Sequence, residues 1–379
     1  MAGTVSWDGL RELAAFRAEK GRAISLYLDL DPSIVPTAGD AQKRVSSLLD
    51  EGARSNGANP RNFTHDERRA LKADFDRIHR WFEEEFVRDG AHGLALFCAG
   101  LDNVWQPITL TESFADGIKV GLTFYVAPLV PLVGRGEGAL VAVVGREIGQ
   151  LFRLRGGRLE EVADLFEQQP RRHDQGGWSQ ARLQRRIDNK ALEHLRGIAE
   201  NLDRRVRRQR APLVIVGSEE ARAELGDLLS SEAAAAVIGW TQAEAHAGPA
   251  ELLEIATPVL ERWRAEQERE TIERWREEAG RNGRAASGWA ETLEAASDGR
   301  VELLLFQDGA SSAAYECPDC GRATVADGNC PLDGTRMEPR DEGLDLAVHQ
   351  TLSHGGTVWA VRHHHDLEPV EGVGALLRY

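Results

Sequence analysis

Two stretches of this chain carry residue types whose spacing could do chemistry. The first is PRRHDQGGWSQARLQRRIDNK, residues 170–190, where Gly176 and Gly177 sit among arginines just ahead of a helical pattern. A glycine pair lacks two β-carbons and tolerates positive φ, so its backbone can enter a crowded partner. Ser179 is placed to cap the helix that follows. From Arg171 to Arg210 there are 12 Lys or Arg against 5 Asp or Glu, in a chain whose formal net charge is −15. This local reversal of sign predicts a phosphate-facing surface that includes Arg171, Arg172, Arg182, Arg185 and Arg186, on a loop built to enter RNA. A charge run by itself describes a solvated helix laced with ion pairs; the glycine loop at its head separates the two readings.

The second stretch pairs Cys317-Pro-Asp-Cys320-Gly with Cys330-Pro-Leu-Asp333-Gly. Each half places two ligands at x-x spacing on a tight turn, the geometry of a zinc ribbon, and three thiolates with one carboxylate can complete a tetrahedral site. A closed site of this kind is structural, because it leaves no open position for a substrate. The alternative is a ribbon that keeps its turns without metal. His363, His364 and His365 are adjacent, so on a strand at most two can face one ion, and an exposed strand end is expected there. The chain has no GxSxG elbow, Walker loop or HExxH helix.

Several elements must position these residues. After the glycine pair, Leu183, Ile187, Ala191, Leu195, Ile198, Leu202 and Val206 recur every three or four positions, which predicts one buried helical face with the arginines mostly off it. Strands are expected over 139–144 and 148–154 before this helix, and over 213–216 and 237–240 after it, with a helix over 218–229 between them. That β-β-α-β-α-β order predicts a mixed sheet with helices against it. The glycine cluster at 134–138 lacks the strand-before, helix-after setting of a nucleotide loop and reads as a domain-linking turn. Upstream, strands over 23–30, 93–98 and 119–126 predict a first α/β domain. Its helix opens at the capping box Thr64–Glu67 and is carried by Leu71, Phe75, Ile78 and Phe82. Cys98 is expected as a small core residue. Downstream, a charged helix over 251–284, with Trp263 and Trp275 as its only large aromatics, is expected to bridge two domains. A helix through Trp289 and Leu293, a strand over 301–306, the cysteine insert at 315–340, a helix over 344–352 and a strand over 357–361 complete the pattern. The expectation is an α/β chain of three domains, 1–130, 131–270 and 271–379.

Composition agrees with this division. A chain of 379 residues, 42% of them hydrophobic, can fill two or three cores. No run approaches the roughly 18 apolar residues of a membrane span, and the N-terminus shows no basic flank before an apolar core. Four cysteines, three of them clustered, argue against a disulfide scaffold and for a reducing compartment, the cytosol. An acidic chain confines nucleic-acid contact to patches.

Taken in order, the glycine loop before an arginine-rich helix, the ribbon insert in the last α/β unit and the ending Gly372-Val373-Gly374-Ala375-Leu376-Leu377-Arg378-Tyr379 resemble a family. It is that of the archaeo-eukaryotic class-1 peptide release factors and their relatives: Pelota, the ribosome quality-control peptidyl-tRNA hydrolases, and the bacterial branch that includes the hibernation factor Balon. The resemblance covers the middle and C-terminal domains. It implies a ribosomal A-site protein with an RNase H-like middle domain and a last domain similar to kink-turn-binding ribosomal proteins. The implied partners are the ribosome, rRNA, peptidyl-tRNA and a translational GTPase. In release factors a Gly-Gly-Gln loop positions a water against the ester of peptidyl-tRNA. Gly176 and Gly177 match its glycines and Gln180 is the counterpart of its glutamine, with Trp178 and Ser179 between them. Neither the Asn-Ile-Lys-Ser nor the tyrosine-cysteine signature for stop codons is present. The resemblance therefore implies rescue, quality control or hibernation rather than codon-specific termination. Peptidyl-tRNA hydrolysis and non-catalytic occupation of the A site both stay open at this point.

Overall fold

The computed structural model describes residues 5–57, 64–110, 113–133, 138–145, 148–155, 157–164, 180–243, 247–281, 283–340 and 342–379. The protein is mixed α/β and divides into two compact units, residues 1–135 together with 268–379, and residues 136–267.

The chain enters the larger unit through α1 (Trp7–Ala15), β1 (Ala23–Asp29), α2 (Ala38–Gly57), α3 (His65–Glu84), β2 (Gly93–Ala99), β3 (Val104–Leu110) and β4 (Gly117–Gly121). The sheet order is β3-β2-β1-β4, antiparallel throughout. β1 is buried along its whole length because successive side chains enter two cores. Ile24, Leu26 and Leu28 pack with Val45 of α2 and Ile78 of α3, while Ala23 and Tyr27 join a second core. α3 starts at the expected capping box. Thr64 Oγ1 accepts from the Glu67 N–H at 3.2 Å, and Glu67 Oε2 accepts from the Thr64 N–H at 2.7 Å. Cys98 is fully buried, and burial pushes its thiol up to about 12.

Two elements depart from the pattern reading. β3 contains Pro107, which is tolerated because β3 lies at the sheet edge, where no second neighbour needs the missing N–H. The strand expected over 119–126 ends at Gly121 instead. Farther on, the Val126 and Ala127 N–H groups donate to Asp345 Oδ1 at 2.9 and 3.2 Å, and the chain turns into a 3-10 helix over Ala127–Leu132.

The middle unit contains β5 (Leu140–Val144), β6 (Gly149–Arg155), β7 (Arg158–Asp164), α4 (Gln180–Gln209), β8 (Leu213–Gly217), α5 (Glu219–Gly226), α6 (Ser231–Ala236) and β9 (Val237–Thr241). α7 (Pro249–Gly280) begins in this unit and ends in the larger one. The sheet order is β7-β6-β5-β8-β9, with β5, β6 and β7 antiparallel and β5, β8 and β9 parallel. Period-2 alternation again sorts side chains between two faces. Leu140, Ala142, Leu213 and Ile215 meet Leu195, Ile198 and Leu202 of α4, whereas Val141, Val214 and Val216 meet Leu252, Ala256 and Val259 of α7. β7, absent from the pattern reading, is an edge strand whose sequence RLEEVAD is mostly polar. The single helix expected over 218–229 is two. α5 ends at Gly226, and α6 restarts under Ser230, whose N–H and hydroxyl donate to Asp203 Oδ1 of α4 at 3.2 and 2.8 Å.

The chain returns to the larger unit with β10 (Ala285–Ser287), α8 (Gly288–Ser297), β11 (Val301–Gln307), the insert strands β12 (Ala314–Glu316), β13 (Ala323–Thr324) and β14 (Glu338–Arg340), then α9 (Gly343–Ser353), β15 (Thr357–Val361) and β16 (Val373–Leu377). The main sheet runs β10-β16-β11-β15, so the glycine-spaced ending supplies an interior strand. A Cβ on Gly374 would lie 2.8–3.1 Å from the Trp275 ring, so the close approach of α7 to β16 requires glycine there.

The N-terminal and C-terminal layers share one core: Tyr27, Phe97 and Phe124 pack in the same cluster as Trp289, Leu304 and Val348. A buried polar contact is set into it. His349 Nδ1 lies 2.8 Å from the Ala14 carbonyl oxygen and Nε2 lies 2.5 Å from the Phe124 carbonyl oxygen. Asp345 Oδ2 lies 3.6 Å from Nε2, and burial raises the pKa of that carboxyl. Replacing His349 with alanine removes the ring that faces the buried carbonyl oxygens of Ala14 and Phe124 and the neighbour of the buried Asp345. The expected loss is about 2 kcal/mol, read as faster hydrogen exchange across β1 and α9, and it shrinks when Asp345 is already alanine because the two side chains are in contact. A loss below about 0.5 kcal/mol in the single variant contradicts this assignment.

Candidate functional site

The arginine-rich segment forms α4, a helix of 30 residues and about 45 Å that begins at Gln180. Its expected stripe is borne out wherever side chains are described. Ala191, Leu195, Ile198, Leu202 and Val206 are all buried, and the last four sit in the core under the sheet. Each fully buried leucine or isoleucine contributes roughly 2 kcal/mol, so α4 is held along its side from Ala191 to Val206. Gly176, Gly177, Ser179, Arg171 and Arg172 lie outside the described residues, as do the side chains of Gln180, Arg182, Arg185 and Arg186.

The cysteine cluster is fully described, and its ligand atoms converge. Cys317, Cys320, Cys330 and Asp333 each offer one donor atom, all within 4.8 Å of one another. The two halves repeat one backbone turn. The Gly321 N–H donates to the Cys317 carbonyl and the Gly334 N–H to the Cys330 carbonyl, both at 2.9 Å. The cysteine N–H groups donate to Arg322 and Thr335 carbonyls, both at 2.8 Å, and the two glycines have φ of +77° and +78°. Glycine suits both positions because an L side chain is strained there.

The spacing suits a metal. For tetrahedral Zn2+ with Zn–S near 2.3 Å and Zn–O near 2.0 Å, sulfur pairs should lie about 3.8 Å apart and sulfur–oxygen pairs about 3.5 Å. Cys320 Sγ and Cys330 Sγ are 3.5 Å apart, and Cys317 Sγ is 3.4 and 3.6 Å from the two Asp333 oxygens. The Thr335 N–H, donating to Asp333 Oδ1 at 2.9 Å, holds that carboxyl well below the usual aspartate range. Donor type, charge and spacing therefore fit zinc. Thr335 itself was not legible as a contributor; its signal is the repeat of the first turn's pattern two residues past Asp333.

The histidine run follows the end of β15 as expected, with His363 and His365 exposed and His364 half-buried, but one of its members also has a buried partner. His363 Nδ1 lies 2.8 Å from Oε1 of Glu268, a carboxylate side chain only 4% exposed, whose Oε2 also accepts from the Arg362 and His363 N–H groups at 3.1 and 2.8 Å. The carboxylate comes from α7, far away in sequence, so no local spacing could announce it.

Comparison with known proteins follows the same plan. A family model described as bacterial archaeo-eukaryotic release factor family 10 matches residues 125–261. Peptide chain release factor subunit 1 of Archaeoglobus fulgidus is 23% identical over 368 residues, covering 89% of this chain and 87% of that protein. An uncharacterized protein of Mycobacterium tuberculosis is 27% identical over 319 residues, covering 78% of this chain and 82% of its own length. Among solved structures, Archaeoglobus fulgidus Pelota is similar at 14% identity with a TM-score of 0.36, covering 100% of this chain and 94% of that one. A bacterial archaeo-eukaryotic release factor family is thus matched on the middle part of the chain, and the chain is similar to archaeal release factors over most of its length.

Proposed function

We propose that this protein is a ribosome-associated translation factor that hydrolyses peptidyl-tRNA in rescue or quality control, without reading a stop codon. The observation that carries the reading is the release-factor family match over residues 125–261, which contains the Gly176-Gly177 loop and the helix that Gln180 heads. The strand order of the middle unit, three antiparallel strands followed by two parallel ones, supports its RNase H-like assignment. The closing β16 supports the likeness of the last layer to kink-turn-binding ribosomal proteins. In this reading Gly176 and Gly177 give the backbone access to the peptidyl transferase centre, and Gln180 orients a water. The water oxygen attacks the ester carbonyl, and the bond to the tRNA 3′ oxygen breaks to leave a free hydroxyl and a peptide carboxylate. Arg171, Arg172, Arg182, Arg185 and Arg186 neutralise rRNA or tRNA phosphate. A translational GTPase is the delivery partner that belongs to this reading.

A second reading, a non-catalytic A-site binder in rescue or hibernation, is favoured by Trp178 and Ser179, which separate the glycines from Gln180. A displacement near 1 Å costs about a hundredfold in rate. Gln180→Ala decides between them. Loss of ester hydrolysis on stalled ribosomes or large subunits, with co-sedimentation retained, supports the hydrolase. A parent protein that leaves the ester intact, yet still co-sediments, assigns the occupant.

For the arginine surface, Arg182, Arg185 and Arg186 lie off the apolar stripe by spacing. Reversing all three to glutamate is expected to weaken ribosome binding, leave the melting temperature unchanged and flatten the slope of log affinity against log salt. Retention of the full slope overturns the assignment.

Zinc is the metal proposed for Cys317, Cys320, Cys330 and Asp333, in a structural role. Protein purified without added metal should contain one equivalent. Chelation should then speed hydrogen exchange over residues 315–337 and spare β11, β15 and β16, because metal affinity appears as local folding free energy. Less than about a tenth of an equivalent, with exchange unchanged by chelator, means the turns are held by packing alone.

A further inference from the structure

The two tryptophans of α7 are used differently. Trp275 is 4% exposed, and its Nε1–H donates to the Ala286 carbonyl oxygen at 3.0 Å. Trp263 is only half-buried, belongs to neither core of the middle unit, and lines a concavity of about 820 Å³. Ala235 and Ala236 of α6 and the last turn of α4 complete its walls.

Arg207 and Arg210 line this concavity, and charge is concentrated in the segment that carries them. Residues 204–210 hold five arginines: Arg204, Arg205, Arg207, Arg208 and Arg210. Arg207 pairs with Glu232 at 2.8 Å, but both side chains are about 60% exposed, so the pair contributes little. Arg204 and Arg205 donate to the backbone oxygens of Glu200 and Val162. The exposed Arg208 and Arg210 side chains make no ion pair among the described residues. The negative end of the helix dipole favours cations in the last turn of α4, so the cluster is held there largely without acidic partners and offers its charge to a polyanion from outside. A nucleic-acid base stacks well on an indole face, whereas the carboxylates of an acidic peptide offer no planar apolar surface.

We propose that this concavity binds one unpaired nucleotide of RNA, with the base stacked on Trp263 and the flanking phosphates on Arg208 and Arg210. The site lies about 45 Å along α4 from Gln180, which makes it an RNA contact separate from the glycine loop and independent of hydrolysis.

The test uses the full chain, a short fluorescein-labelled single-stranded RNA, and anisotropy across a salt series. Trp263→Ala should weaken binding about tenfold or more, and Trp263→Phe should recover most of the loss. Arg208→Ala with Arg210→Ala should reduce the slope of log affinity against log salt by about 1.4. RNA carrying 5-iodouridine should photocrosslink to the peptide that contains Trp263. Equal affinity for the parent and Trp263→Ala, with no crosslink at that peptide, overturns the proposal. So does a polyglutamate peptide that binds as tightly with the same dependence on Trp263, which would assign the concavity to an acidic protein segment. The arginines are exposed, so their slope is readable even if Trp263→Ala proves unstable. No ribosome or peptidyl-tRNA is present, so this result and the hydrolysis result stand or fall separately.

Discussion

The larger unit depends on a buried carboxylate and a buried imidazole that join segments far apart in sequence. Asp345 and His349 stand one turn apart on α9, and between them they hold the carbonyls of Ala14 and Phe124 and the N–H groups of Val126 and Ala127. An apolar core alone would fix these layers loosely, since it is non-directional. The hydrogen bonds add register, because unpaired backbone groups in that core would each cost about 1–3 kcal/mol. As a result, the chain leaves the unit near residue 135 and returns near residue 268 with its two layers already joined. The middle unit is, in sequence, an insertion into a closed structure.

Within that insertion α4 resolves a conflict between local and tertiary preference. Its arginines repel one another, and isolated helices gain little from propensity. The stripe from Ala191 to Val206 settles the matter, because four of its members bury fully or nearly so against β5 and β8. A helix secured along its side can carry concentrated positive charge at both ends, opposed by the helix dipole at the first and favoured by it at the last. In this protein the charge falls at the two ends, ahead of Ala191 and after Leu202, and the buried part between them is nearly free of it on the packed face.

This division explains which features were legible in the sequence. β1, β5 and β8 are buried on both faces and stand out as apolar runs; the α3 capping box and the α4 stripe are local patterns with fixed periods. Edge strands β3 and β7 were not legible, since Pro107 and the Glu160-Glu161 pair are acceptable only where one side lacks a neighbour. The break at Ser230 is set by Asp203 of another helix, and the surroundings of His363 by Glu268, so neither has a local signature. The cysteine cluster was legible because both turns are written in Cys-x-x spacing. The concavity beside Trp263 was not, because it is assembled from α4, α6 and α7.

The aspartate in that cluster is placed as a ligand would be. Its Oδ1 is occupied by the Thr335 N–H, which leaves Oδ2, 3.4 Å from Cys317 Sγ, free to face the centre of the site. A thiolate at this position would bind a metal without any second hydrogen bond, whereas a carboxylate needs one oxygen fixed to limit its rotation. Thr335 does that through its N–H, and its hydroxyl donates to Asp319 Oδ2 at 2.7 Å, tying the second turn to the first. The packing available otherwise is small: Cys317, Cys330 and Met337 with Tyr315 beside them. Burying four such side chains contributes only a few kcal/mol, less than the conformational entropy of the more than twenty residues in the insert. The flanking ties of Arg322 to Asp298 and Arg340 to Glu316, which are partly exposed, add to this, and a cation among the thiolates would add its binding energy to the same insert.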